Sequence, residues 1–168
     1  AIYVGNNSKY VAVSLSNFTK NNIKNSLGEN TQLEGGVIYV NANTSQVTLD
    51  ISLSNFENNS HRDVDGGAIC LDGSSNAHIE SCIFNNNTGK LGSVILIKNP
   101  YNKKLSLIMD SSAFTNNNAA TGAIATSPKV TTFVDECVFA NNTGENRHIY
   151  NNGFAVVHDS IFDVKDAK

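Results

Sequence analysis

The stretch GGAICLDGSSNAHIESCIFNNN, residues 66–87, decides the fold, because it holds two short motifs that the rest of the chain repeats. The first is Gly66-Gly67 running into Ala68-Ile69. The second is Phe84 with Cys82 two residues before it and Asn87 three after. Phe recurs at 18, 56, 84, 114, 139 and 162, and two residues earlier stands Ser16, Ser54, Cys82, Ser112, Cys137 or Ser160. Three residues after Phe come Asn21, Asn59, Asn87, Asn117 and Asn142; the last copy has Lys165. Five residues before Phe the side chain is apolar: Val13, Ile51, Ile79, Met109, Val134, Val157. Between the Phe motifs fall Ile2, Ile38, Ile69, Ile95, Ile124 and Ile149, preceded in four copies by Gly35-Gly36, Gly66-Gly67, Gly92-Ser93 and Thr121-Gly122. Two motifs alternating in this way along the whole chain are the signature of a repeat architecture, in which stacked units bury what no single unit can.

Short runs of branched residues at 11–15, 49–53, 105–109 and 154–157 have strand length and are bounded by Asn, Gly or Ser. Alternation puts Leu49 with Ile51, and Leu107 with Met109, on one face. The Ile segments alternate likewise, so each repeat supplies at least two strands. Successive Phe are 38, 28, 30, 25 and 23 residues apart, enough for one circuit of a coil and too few for a βαβ unit plus its partner. Length variation is confined to the edges: the segment after Phe18, and residues 99–104 around Pro100. That is how a solenoid accommodates insertions. The expected fold is all-β, a single parallel β-solenoid of about six coils over residues 1–168. Residues 1–4, AIYV, match VIYV at 37–40. The chain is therefore expected to begin inside a repeat of a longer protein, with a sticky N-terminal end that either is covered by residues 22–34 or self-associates.

A formal charge of −3 with only Arg62 and Arg147 as arginines gives no footprint for nucleic acid. No apolar run is long enough to cross a bilayer, so membrane attachment is expected only through parts of the parent chain outside this sequence. Cys70, Cys82 and Cys137 lack metal-ligand spacing. Cys82 and Cys137 share a register position two coils apart, about 10 Å and beyond disulfide reach. They read as small buried residues interchangeable with Ser. Asn is over-represented, with 26 copies concentrated in turns, where it tolerates left-handed backbone and stacks into amide ladders. Asn21, Asn59, Asn87, Asn117 and Asn142 are the expected ladder.

Four residues before each Phe stands Ser14, Ser52, Glu80, Asp110, Asp135 or His158, facing outward. Glu80, Asp110 and Asp135 then line up on adjacent coils about 5 Å apart, where like charges repel. Splaying into solvent is the plain reading; a calcium-like cation or a catalytic acid group are the alternatives. A glycosidase needs two carboxylates flanking a groove, for which Asp110 and Asp135 are spatial candidates only. His61, His78, His148 and His158 occupy unrelated register positions, and no nucleophile, base and orienter can be assembled. No catalytic set, metal site or cofactor is expected. Tyr3 and Tyr39 should be neighbours on adjacent coils, either as a platform for sugar or protein or as ordinary like-on-like packing.

The alternation of Gly-Gly-Ala-Ile with Phe-x-x-Asn resembles the paired motif of the polymorphic membrane protein repeat, found in chlamydial-type autotransporter passengers and in adhesin-like microbial surface proteins. The Phe half is intact at Phe18/Asn21, Phe56/Asn59, Phe84/Asn87, Phe114/Asn117 and Phe139/Asn142; the Gly half is complete at residues 66–69 and near at 35–38. The resemblance implies a right-handed parallel β-helix, secreted or on the cell surface. It further implies a rigid, non-catalytic, adhesin-like stalk whose partner is a surface protein or glycan on a host or another microbe. A carbohydrate-active β-helix enzyme, either lyase or hydrolase, or its inactive relative, is the alternative reading; a purely structural spacer is the third.

Overall fold

The computed structural model describes residues 2–22, 36–61 and 64–163. Within them the chain is all-β, without helix, its parallel strands wound into a β-solenoid of about four turns. Ala1, Gly35, Arg62, Lys165 and the 23–34 part of the expected N-terminal cover lie outside the described residues.

Each circuit lays down an Ile strand, a branched-residue strand and a Phe strand. The Phe strands form one six-stranded parallel sheet in chain order, Asn17–Thr19, Asn55–Glu57, Ile83–Asn85, Ala113–Thr115, Val138–Ala140 and Ile161–Phe162. Its register sets every Phe opposite the next. The Ile column runs unbroken from Ile2 to Ile149. The branched column runs from Val13 through Ile51, Ile79, Met109 and Val134 to Val157. In two circuits the first two strands fuse into one, Ile38–Ser52 and Ile69–Glu80.

The columns explain the period. Strands stack about 4.8 Å apart, which is also a comfortable distance between aromatic rings. The six Phe rings accordingly stack with centroids 4.6–5.0 Å apart and interplanar angles of 18° or less. Phe56, Phe84, Phe114 and Phe139 are fully buried, and the Ile and branched columns close the core around them.

A residue with left-handed backbone precedes each Phe strand, and another follows each of the first five. Upstream are Leu15, Leu53, Ser81, Ser111, Glu136 and Asp159; downstream are Lys20, Asn58, Asn86, Asn116 and Asn141, all with φ between 39° and 57°. These corners turn the chain into and out of the strand. Asn adopts this conformation more cheaply than other residues with a side chain, so the Asn two after Phe makes the corner and the Asn three after makes the ladder. The Gly-Gly motif has a different cause. A Cβ on Gly67 would lie 2.1 Å from the Ser93 carbonyl oxygen, and one on Gly36 2.5 Å from that of Ala68. Neighbouring coils touch backbone to backbone there.

The small residue two before Phe also follows from the stacking. Ser54, Ser112 and Ser160 each accept a backbone N–H from the preceding coil, from Ser16 at 3.2 Å, Cys82 at 3.0 Å and Cys137 at 3.0 Å. Their hydroxyls donate to the carbonyl two residues back. Cys82 and Cys137 fill the same buried position as thiols. Burial pushes the pKa of both thiols up, which keeps them protonated and inert.

Candidate functional site

The asparagine column is a continuous polar chain inside the core. Asn21, Asn59, Asn87 and Asn117 each direct both the backbone N–H and Nδ2 to the Oδ1 of the next asparagine, at 2.9–3.1 Å. From Asn59 onward each Nδ2 also donates back to the carbonyl of the Phe one coil earlier, at 2.8–3.0 Å. Every side-chain valence of Asn59, Asn87 and Asn117 is thereby used. From Asn59 to Asn142 the ladder is buried; it is architectural and not a ligand site.

His148, which the register reading left unassigned, takes the rung after Asn142. Its Nδ1 lies 3.2 Å from Asn142 Nδ2 and its Nε2 lies 3.1 Å from the Asp163 carbonyl, while its ring meets Phe139 and Phe162 edge-on. Only a neutral imidazole protonated on Nε2 satisfies both bonds. Burial lowers its pKa, Arg147 adds to this, and the Asp163 carbonyl opposes it. Burial also lowers the pKa of His61. For a lowered histidine pKa the unfolded chain binds more protons in acid. The stability is therefore complete above the ordinary histidine value of about 6.5 and is lost as pH falls through the lowered folded value. The melting temperature is expected to fall below about pH 6, and His148→Asn, which keeps an acceptor but cannot titrate, should flatten that fall. An unchanged pH profile in the variant would remove His148 from this role.

Glu80, Asp110 and Asp135 stand side by side on adjacent coils at the end of the branched sheet, Glu80 and Asp135 exposed and Asp110 half-buried. Neighbouring groups supply the column with partners. Ser111 Oγ donates to Asp110 at 2.7 Å and lies 3.2 Å from Glu136, and His158 Nδ1 bonds Asp135 at 2.9 Å. That bond holds the His158 pKa above its ordinary value. Among the described residues no three His, Cys, Asp or Glu side chains are gathered to hold a metal ion. Calorimetry with millimolar calcium is expected to show weak binding at most; a sub-micromolar site would overturn this account of the column. Tyr3 and Tyr39 pair across adjacent coils with centroids 5.7 Å apart and rings tilted by 44°. Tyr3 is exposed, whereas Tyr39 donates its hydroxyl to Asp72 and packs on Cys70, Leu96 and Ala125, a small apolar cluster outside the main core.

The surface departs from regularity at the corner between the Ile and branched columns. From Ile to the inward residue five before Phe the count is 13 for Ile38 to Ile51, 10 for Ile69 to Ile79, 14 for Ile95 to Met109 and 10 for Ile124 to Val134. Alternate circuits therefore carry extra chain. One excess forms a bulge at 43–46, where the register shifts between Ala42 and Val47; the other is the 99–104 loop. Between them the chain passes through Gly73 and Ser74 without an insertion; Gly73 has φ 91°, and a Cβ there would lie 2.6 Å from the Ala42 carbonyl. The result is a notch of about 540 Å³ whose floor includes Ser74 and whose walls carry Asn43, Gln46, Tyr101, Lys103 and Lys104. Its walls are two strand spacings apart, about 10 Å.

Both walls are held. Buried Asn99 donates through Nδ2 to the carbonyls of Lys103 at 2.8 Å and Pro128 at 2.9 Å, and its Oδ1 accepts the Lys103 N–H at 3.0 Å. On the other side Asn6 Oδ1 accepts the Asn43 N–H at 2.8 Å, and the Thr44 and Ser45 hydroxyls both bond the Asn6 carbonyl. Tyr101, Lys103 and Lys104 are exposed, and Lys129 stands beside Lys104 on the next coil, where Leu105 pairs with Val130. The branched sheet is thus basic at its start and acidic at its end. Pro100 marks the 99–104 insertion in the sequence; the alternating count above is the signal for the opposing bulge.

A second groove, of about 590 Å³, opens on the other side of the 99–104 loop and is lined by Asp65, Asp72, Lys98 and Asn99 among others. Lys98 Nζ lies 3.2 Å from Asp65 Oδ2, and Asp65 is buried. In comparison with known proteins, no family model, curated protein or solved structure matches the chain.

Proposed function

We propose that this chain is an adhesin-like module of the polymorphic membrane protein repeat type, a right-handed β-helix of six coils counting its partial ones, displayed or secreted at a cell surface. It serves as a stiff rod that presents a non-catalytic binding site, with a surface protein or glycan as partner. The observation that carries this reading is the notch: two insertions in alternate circuits are braced by Asn99 and Asn6 and carry an exposed Tyr and two Lys on its lining. Core and turn residues account for the repeat itself, so a ligand is met by what departs from the repeat. A binding screen of the chain against glycan and host-protein arrays tests it. Capture that weakens in Tyr101→Ala supports the reading; a chain that captures nothing is a spacer.

The enzyme alternative draws on one observation, two carboxylates in the second groove. Release of reducing ends from polysaccharide, abolished by Asp65→Asn or Asp72→Asn, would favour it.

A further inference from the structure

We infer that the notch binds an acidic saccharide, one bearing carboxylate or sulfate groups, as a single strand lying between the 43–46 and 99–104 walls. The inference rests on the adhesive reading and gives its ligand a chemistry. The chain carries a net charge of −3, yet Lys103 and Lys104 are adjacent at this one corner, with Lys129 beside them on the next coil. No acidic residue is among the described residues that line the notch. Like charges gathered without counter-charges repel, and an anion between them relieves this. Ammonium groups donate well to carboxylate and sulfate oxygens.

The remaining lining suits a sugar more than an inorganic ion. Tyr101 lines the notch and is 47% exposed, which leaves aromatic surface for the C–H side of a pyranose. Asn43, Gln46 and Ser74 supply amide and hydroxyl groups that can both donate and accept, as sugar hydroxyls require. The walls are about 10 Å apart, which admits one extended oligosaccharide and not a folded partner domain. Because Asn99 and Asn6 already brace the backbone of the walls, the ordering that opposes binding is mainly that of the lysine side chains.

Calorimetry of the chain with three sets of oligomers tests this: a uronic acid polymer fragment, a sulfated oligosaccharide, and a neutral galactan of equal length. Binding of at least one acidic oligomer is expected to be about tenfold or more tighter than binding of the neutral one, and to weaken with added salt. The comparison of the uronate and sulfate arms identifies the anion. The Lys103→Ala/Lys104→Ala variant should lose about tenfold or more of that affinity, Tyr101→Ala should also weaken it, and Lys90→Ala, an exposed lysine elsewhere, should not. Unchanged thermal unfolding in each variant excludes misfolding as the cause. No preference for acidic over neutral oligomers overturns the inference, and if the chain still captures a partner on the arrays the adhesive reading stands without it. Acidic binding that ignores the notch variants overturns the assigned site. A short DNA duplex binding as tightly as the uronate would show a general polyanion surface and overturn the saccharide assignment.

Discussion

Phe84→Ala is expected to lower the stability of the chain by about 3–5 kcal/mol. Phe84 is fully buried between Phe56 and Phe114, with ring centroids at 4.8 and 5.0 Å. Truncation removes both ring contacts and leaves a cavity that cannot close, because its walls are strands pinned in register above and below. A solenoid is held together by nearest-neighbour interfaces, so weakening a central one uncouples the coils on either side. Denaturant unfolding followed by circular dichroism should move to lower midpoint and separate into two phases. A loss below about 1 kcal/mol would mean that the Phe column does not hold the coils together.

Asn87→Leu should also be strongly damaging despite adding apolar volume to a core. Asn87 Oδ1 accepts from the backbone N–H and Nδ2 of Asn59, and its Nδ2 donates to the Phe56 carbonyl. Leucine leaves the buried Asn59 N–H without its acceptor and removes one bond each from Asn59 Nδ2 and the Phe56 carbonyl. At about 1–3 kcal/mol for the orphaned group and about 1 kcal/mol for each further bond lost, the expected loss is about 3 kcal/mol. Thermal unfolding of the variant measures it. A melting temperature close to wild type would show that the amide chain contributes register but little energy.

Much of this fold was legible because the solenoid writes the same physical requirement once per circuit. Phe, the small residue before it and the Asn after it each occupy a column where only one shape fits, so the period survives changes in loop length. The upstream corner was not legible: Leu53, Ser81 and Glu136 share a left-handed backbone but no chemistry, so only a bend could be expected there. His148 was missed because it reaches the ladder from a different part of its circuit, six residues after Asn142, and no fixed spacing marks it. The notch was half legible. Pro100 and the extra residues after it announce a loop, whereas the bulge at 43–46 is hidden inside a continuous strand, Ile38–Ser52. Side-chain columns report on the core, and a binding surface made by what the core does not constrain leaves a fainter trace.

The hydrogen bonds that join one coil to the next, in the sheets and through the asparagines alike, all run along the stacking direction. A pulling force applied at the two ends of the rod therefore loads the intercoil interfaces in series, and the weakest yields first while the others keep their shape. Each circuit of 23–38 residues that peels away releases roughly 80–130 Å of extended chain in place of about 4.8 Å of stacked height. Under tension such a rod lengthens stepwise and dissipates work at every step, and because each coil templates its neighbour it can rewind one circuit at a time when the load is removed.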